Sequence, residues 1–431
     1  MTLYIVQAVY YSTRFIFPVV DADQLVMADM ATFYSQGFIP EPYFWGQNYL
    51  FPLESWVATP LVFFNVRADI AICLVSVTAF YLPYLAATFL AIKARRILLF
   101  FIAGLIPFVL PPAYIIATMI PRNFGTTSSL VALGIILLIT RSESKTLSMS
   151  AGAIIGICFA SNPATAILAP ALLFATTRKR WKFWAPGLLI GAFGIYALGY
   201  FYVLNPEAIH YHPEPIALSL EQLKDSLKTQ EILFYPLLLA AITAPAVIIA
   251  WIQSSKRNRR FIEFVLFGTA LFCLGFLATD RISSYTLSPF YSSYRFWTVL
   301  PLLGVVIVTS ALCSHSEKAH TAKKYSAPIA IVLLTVALVA QTVLAENRSG
   351  SYLTLPTPTG IENRAKVAAD CKSLASSIDI SRNYVELSQD DPWLMYGCYS
   401  MEGAVVTYFE KDRRTWLPKY IDSRGLVRVE K

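Results

Sequence analysis

Two aspartates and a dense run of aromatic and amide side chains follow the first apolar segment of the chain. That segment ends at Val20, Asp21 and Asp23 come next, and Tyr43-Phe44-Trp45-Gly46-Gln47-Asn48-Tyr49 stands at the centre of a polar stretch from Phe33 to Glu54. On a helix Asp21 and Asp23 would not share a face, but at a helix end or in an extended segment both can project the same way. A carboxylate partly desolvated at a membrane boundary has a raised pKa and suits general-base work. An acid at a helix terminus, solvated by lipid headgroups, is the competing reading. Gly46 permits a tight turn. Tyr43, Phe44, Trp45, Tyr49 and Trp56 could anchor the chain at a membrane interface. They could also stack on the apolar face of a sugar, with Gln47, Asn48 and Glu54 bonding its hydroxyls.

Cations stand further along. Tyr285, Tyr291, Tyr294 and Arg295 precede Phe296-Trp297 and an apolar run. An Arg at that depth needs an anionic partner, and a lipid phosphate matches its bidentate fork. Snorkelling to headgroups is the alternative. Arg122, after Pro121, is a weaker candidate of the same kind. His210 and His212 could ligate a divalent metal with an aspartate, or stay solvated or contact an acceptor; two His one residue apart in a loop argue more against the metal. The sequence has no Walker-type phosphate loop and no dinucleotide fingerprint.

The elements that must position these residues are membrane spans. The 431 residues are 56% hydrophobic and only 14% charged, with mean hydropathy +0.54, whereas a soluble domain carries about 25% charged residues. Apolar runs fall at 3–19, 69–92, 97–119, 126–140, 149–161, 163–176, 182–203, 233–252, 261–278, 298–313 and 326–344. The two short runs flanking Asn162-Pro163 fit either two tilted helices or one re-entrant hairpin. The start lacks a basic leader and a small-residue cleavage site, so residues 3–19 read as a retained helix.

The net charge of +8 lies in clusters between apolar runs, which speaks for topology and against nucleic acid. Lys93, Arg95, Arg96, Arg141, Lys145, Arg178, Lys179, Arg180, Lys182, Lys256, Arg257, Arg259, Arg260, Lys318, Lys323 and Lys324 share one side with only Glu143 and Glu317. The opposite loops, 19–68, 120–125, 204–232 and 279–297, hold six basic residues and eleven acids. The positive-inside rule puts the N-terminus in the cytoplasm and the tail outside. In the loop at 204–232, Leu220, Leu223 and Leu227 share one helical face, either on the membrane surface or packed on the tail. The tail alternates short β-like runs, Tyr384–Leu387 and Ala404–Phe409, with turns. Cys73, Cys158, Cys273 and Cys313 read as free thiols in or beside spans. Cys371 and Cys398, alone in the outer tail, could pair in an oxidising compartment. The expected fold is an all-α polytopic membrane protein of about eleven spans, residues 1–344, with a small extracytoplasmic α/β domain at 345–431.

The arrangement resembles the GT-C superfamily of membrane glycosyltransferases, in the bacterial branch of the protein mannosyltransferases and the lipid A aminoarabinose transferase. Asp23-Gln24 stands where many members have Asp-Glu after the first helix. A helix-like run from Leu25 to Gln36 follows, then Phe44-Trp45-Gly46-Gln47-Asn48-Tyr49 in place of a Tyr-Gly-Gln-x-Tyr element, with Glu54 behind it. A Gly-rich helix, Gly152 to Asn162-Pro163, and an outer Arg295-Phe296 also match. The resemblance implies transfer, with inversion, of a sugar from a polyprenyl-phosphate donor to an envelope glycan, lipid or protein acceptor at the outer face of a bacterial inner membrane. Asp23 would be the base, Asp21 its helper, and Arg295 with Arg122 the phosphate ligands. Many relatives carry a second acid in the loop that here reads Pro121-Arg122-Asn123-Phe124-Gly125, which has no carboxylate. That departure weakens the case for a metal.

Two other classes compete. A lipid or sugar transporter or flippase would place polar or broken helices at mid-membrane in a repeat, and no inverted repeat is visible. A glycan polymerase or ligase of another fold would carry its key loop late in the chain, whereas the acid-rich loop here is the first.

Overall fold

The computed structural model describes residues 2–12, 22–37, 39, 43, 51–94, 97–110, 112–140, 144–175, 181–203, 217–228, 230–279 and 299–313, and four strands in the tail. The helices are α1 (Thr2–Tyr11), α2 (Ala22–Ser35), α3 (Leu53–Phe63), α4 (Ala68–Lys93), α5 (Ile97–Val109), α6 (Pro112–Met119), α7 (Phe124–Thr140), α8 (Lys145–Ser161), α9 (Ala169–Ala175), α10 (Trp181–Val203), α11 (Leu220–Lys228), α12 (Gln230–Gln253), α13 (Lys256–Leu277) and α14 (Val299–Cys313). A 3₁₀ helix, Pro163–Leu168, joins α8 to α9.

The protein is a mostly helical, multi-pass membrane protein. Among the described residues, α4, α13 and the stretch Trp181–Tyr200 of α10 are long and apolar enough to cross a membrane. α14 is buried along nearly its whole length and packs on α4, α7 and α12, as an all-round apolar helix must at the centre of a bundle. α10 and α13 lie at the periphery. Phe193 on α10 is 73% exposed and Phe267 on α13 is 63% exposed, and lipid is the solvent that suits such faces.

Most expected runs reappear as helices with shifted ends. α8 starts at Lys145, four residues ahead of the expected run, because the Ser144 hydroxyl accepts from Leu147 N and caps it. The run at 97–119 is not one helix. It stops at Val109 and restarts at Pro112, since Pro111-Pro112 supplies no N–H to the ladder and restricts the residue before it. α3 lies within a stretch read as loop. Pro60 sits inside it, and a proline in mid-run reads as a breaker; packing of α3 on α2 and α4 holds the helix through it. The span expected at 326–344 lies outside the described residues.

The tail contributes β1 (Tyr384–Leu387), β2 (Val405–Glu410), β3 (Arg413–Thr415) and β4 (Val427–Val429), in the order β3-β2-β1-β4. β1 pairs parallel with β2 and β4, and β3 is antiparallel to β2. The first two strands match the runs read from sequence to within a residue. The backbone of β2 runs beside α2.

Candidate active site

Asp23 is the second residue of α2. α2 is fixed from the other side by α3. The Ser55 hydroxyl donates to Met27 O at 2.8 Å, and Tyr34 stacks on Trp56 with centroids 4.4 Å apart. Gln24, beside Asp23, is buried at 2% exposure.

From Trp56 the aromatic contacts continue to Phe51 (5.8 Å, interplanar 8°) and then to Tyr43 (6.4 Å, 82°). The Tyr43 hydroxyl donates to Ile195 O of α10. Gly199, one turn on, leaves the space: a Cβ there would lie 2.7 Å from the Tyr43 oxygen. Tyr43 is thus buried as a pin between the first loop and α10, with Ala160 of α8 in the same cluster.

Glu54 makes the least expected contact. It is fully buried, and its Oε1 accepts from Asn123 N at 2.7 Å. Asn123 in turn donates through Nδ2 to Phe51 O at 2.7 Å and accepts at Oδ1 from Leu53 N at 3.2 Å. Its φ of 70° is left-handed, a conformation Asn tolerates better than most residues. The Thr127 hydroxyl donates to Asn123 O at 2.6 Å and accepts from Asn162 Nδ2 at 3.0 Å, while Asn162 Oδ1 caps Ala164 N. One polar chain therefore runs from α3 through the Arg122-Asn123 turn to the Asn162-Pro163 corner. Burial pushes the Glu54 carboxyl up from 4.5 to about 7, with the Thr126 hydroxyl and the backbone N–H groups of Glu54 and Asn123 holding part of the shift back. The turn that lacks an acid of its own receives one from α3. Sequence reasoning noted both halves, the acid-free turn and Glu54, without joining them.

Glu54 thus faces Asn123 where a direct bond to a sugar hydroxyl was expected. Arg122 is partly exposed at the same turn, and its backbone N donates to Ile120 O. The structure brings Asp23, Tyr43, Glu54 and Arg122 to elements that pack on one another. Asp21, Trp45, Gln47, Asn48, Tyr49, His210, His212, Tyr294, Arg295, Cys371 and Cys398 lie outside the described residues.

No family model matches the sequence, and no curated protein does. Solved structures do. The chain aligns with the crystal structure of ArnT from Cupriavidus metallidurans in the apo state at a TM-score of 0.53 and 13% identity, over 99% of this chain and 89% of that one. It aligns with the same enzyme bound to undecaprenyl phosphate at 0.52 and 12%, with the same coverage. The chain has the ArnT fold. At this identity the likeness speaks for architecture: the ArnT fold is what the GT-C resemblance implied, reached here from coordinates rather than motifs. It spans the described helices and the region of the tail sheet alike.

Proposed function

We propose that this protein is an inverting glycosyltransferase that moves a sugar from a polyprenyl-phosphate donor to an envelope glycan, lipid or protein acceptor at the outer face of the bacterial inner membrane. The observation that carries the reading is Asp23 in the first turn of α2, within a chain that has the ArnT fold along 99% of its length. One of the ArnT structures holds undecaprenyl phosphate, a lipid of the class the proposed donor would release.

In this reading Asp23 accepts the proton of an acceptor hydroxyl. The oxygen attacks the anomeric carbon from the face opposite the phosphate. The bond from that carbon to the phosphate oxygen breaks, and the configuration inverts. The donor phosphodiester leaves as a monoester, whose extra charge Arg295 and Arg122 stabilise. Asp21 orients the acceptor. Trp45, Gln47, Asn48, Tyr49, Tyr294, His210 and His212 line the sugar and acceptor sites. Glu54 and Tyr43 act one layer back, holding the Arg122 turn and the first loop in place. Residues 345–431 form an outer domain, with Cys371 and Cys398 as its disulfide. No nucleotide is consumed at this step, because the phosphate ester of the donor supplies the driving force.

The test is Asp23→Asn. The amide keeps the volume and loses the base, so transfer should fall by at least about a hundredfold, with expression and thermal stability unchanged. Mass spectrometry of envelope glycans from cells with and without the protein identifies the sugar that disappears. Normal transfer by the variant would rule out Asp23 as base.

A further inference from the structure

At the far end of α8 from Asn162 lies a second feature that the transfer reaction does not use. α8 and α10 run parallel, and their backbones touch through four glycines. Gly152 lies against Trp184 O, Gly156 against Leu188 O, Gly187 against Met149 O and Gly191 against Ala153 O. Both N-termini therefore emerge together, and a cavity of about 450 Å³ opens between them.

Its rim carries Lys145, Thr146, Ser150 and Lys182, and Met149 and Ile190 line its apolar side. The two ammonium groups are gathered round one ring: Lys145 Nζ is 5.6 Å and Lys182 Nζ 5.3 Å from the Phe183 centroid. Among the described residues no carboxylate pairs with either lysine. The positive dipole ends of two parallel helices add further positive potential at the same mouth. Below the rim the outer face of α10 is apolar and open, with Leu189 at 65% and Ile190 at 57% exposure. A compact anionic head with hydroxyl donors at hand, continuous with an apolar wall facing the bilayer, is the complement of a phospholipid.

We propose that this groove binds an anionic phospholipid of the leaflet that bathes the N-termini of α8 and α10. Its phosphate sits between Lys145 and Lys182, the Thr146 and Ser150 hydroxyls donate to the phosphate oxygens, and one acyl chain runs along Met149 and Ile190. The site is separate from the candidate active site. The 17 residues of α8, at about 1.5 Å each, put some 25 Å between them. The proposal does not depend on the reaction assigned above.

Native mass spectrometry of the full chain in neutral detergent, offered equal phosphatidylglycerol and phosphatidylcholine, tests it. The protein should retain phosphatidylglycerol selectively. Two lysines removed together as K145Q/K182Q should weaken that retention about thirtyfold, from the usual worth of a basic residue at an anionic membrane surface. K224Q/K228Q, which removes the same charge from α11, should leave it intact. Ser150→Trp, which fills the groove and leaves both lysines, should also abolish it. Equal retention of the two lipids, or undiminished phosphatidylglycerol on either groove variant, would overturn the proposal. So would displacement of the lipid by inorganic phosphate at equal concentration, which would mark a site for soluble anions.

Discussion

A carboxyl with a pKa of about 7, buried where α7 begins, couples its protonation to folding. The unfolded chain holds this group near 4.5, so between the two values the folded state binds the extra proton. Stability from this group is full below pH 4.5 and is lost as pH rises through 7. The loss is on the order of 3 kcal/mol for a shift of this size. Thermal unfolding in detergent should therefore show a midpoint that falls between pH 5 and pH 8. Glu54→Gln keeps the acceptor for Asn123 N and cannot ionise, so its profile should be flat across that range; a slope like that of the wild type would assign the pH dependence to another group. Asn123 offers a second check. Asn123→Gly keeps the left-handed φ and loses two side-chain bonds, while Asn123→Ala loses the same bonds and strains the backbone. The alanine variant should be less stable than the glycine one by about 1 kcal/mol, measured by the same unfolding. Neither residue's partner is legible in the sequence. Glu54 reads as an acid in an aromatic loop, and sixty-nine positions separate it from Asn123, a distance that no local pattern spans.

Helices of this chain were mostly visible as apolar runs, because lipid solvent demands continuous ones. Their pairing was not. Gly152 and Gly156 stand out before Asn162-Pro163, but Gly187 and Gly191 answer them from α10 at the same four-residue spacing, and only the parallel alignment of the two helices makes one stripe of all four. Small residues at such a seam let backbones approach in a membrane, where packing replaces the hydrophobic drive. A methyl at Gly156 would overlap Leu188 O, whereas one at Gly194, on the same α10, meets nothing within 4 Å. Gly156→Ala should cost more than about 3 kcal/mol or prevent folding, as backbone overpacking does. Gly194→Ala should be neutral or stabilising by up to about 1 kcal/mol. Heat-inactivation midpoints of the two variants in one detergent compare them directly, and similar losses from both would show that helix propensity, not the seam, sets the effect. α3 was missed altogether, since its proline-containing sequence has no helical signature apart from the partners it packs on.

Across the whole molecule, the reaction proposed for Asp23 depends on which side of the membrane it faces. Charge counting put the acid-rich first loop outside, and the structure supplies a ruler for the claim. α12 has 24 residues, about 36 Å of helix against some 30 Å of hydrocarbon. Its two ends, α11 and the start of α13, must then lie on opposite faces. Leu218 bridges to Thr279 at the far end of α13, so α11 and the loop after α13 share a side, as the alternation of basic clusters requires. With the six native cysteines replaced by serine, Lys224→Cys on α11 should react with a membrane-impermeant maleimide in intact spheroplasts. Arg257→Cys at the start of α13 should react only after permeabilisation. Both positions are exposed, so burial does not explain a silent site. The reverse pattern would turn Asp23 toward the cytoplasm, where nucleotide sugars are the available donors. The reason for a lipid-linked donor would then fall with the topology, even though the ArnT fold stands.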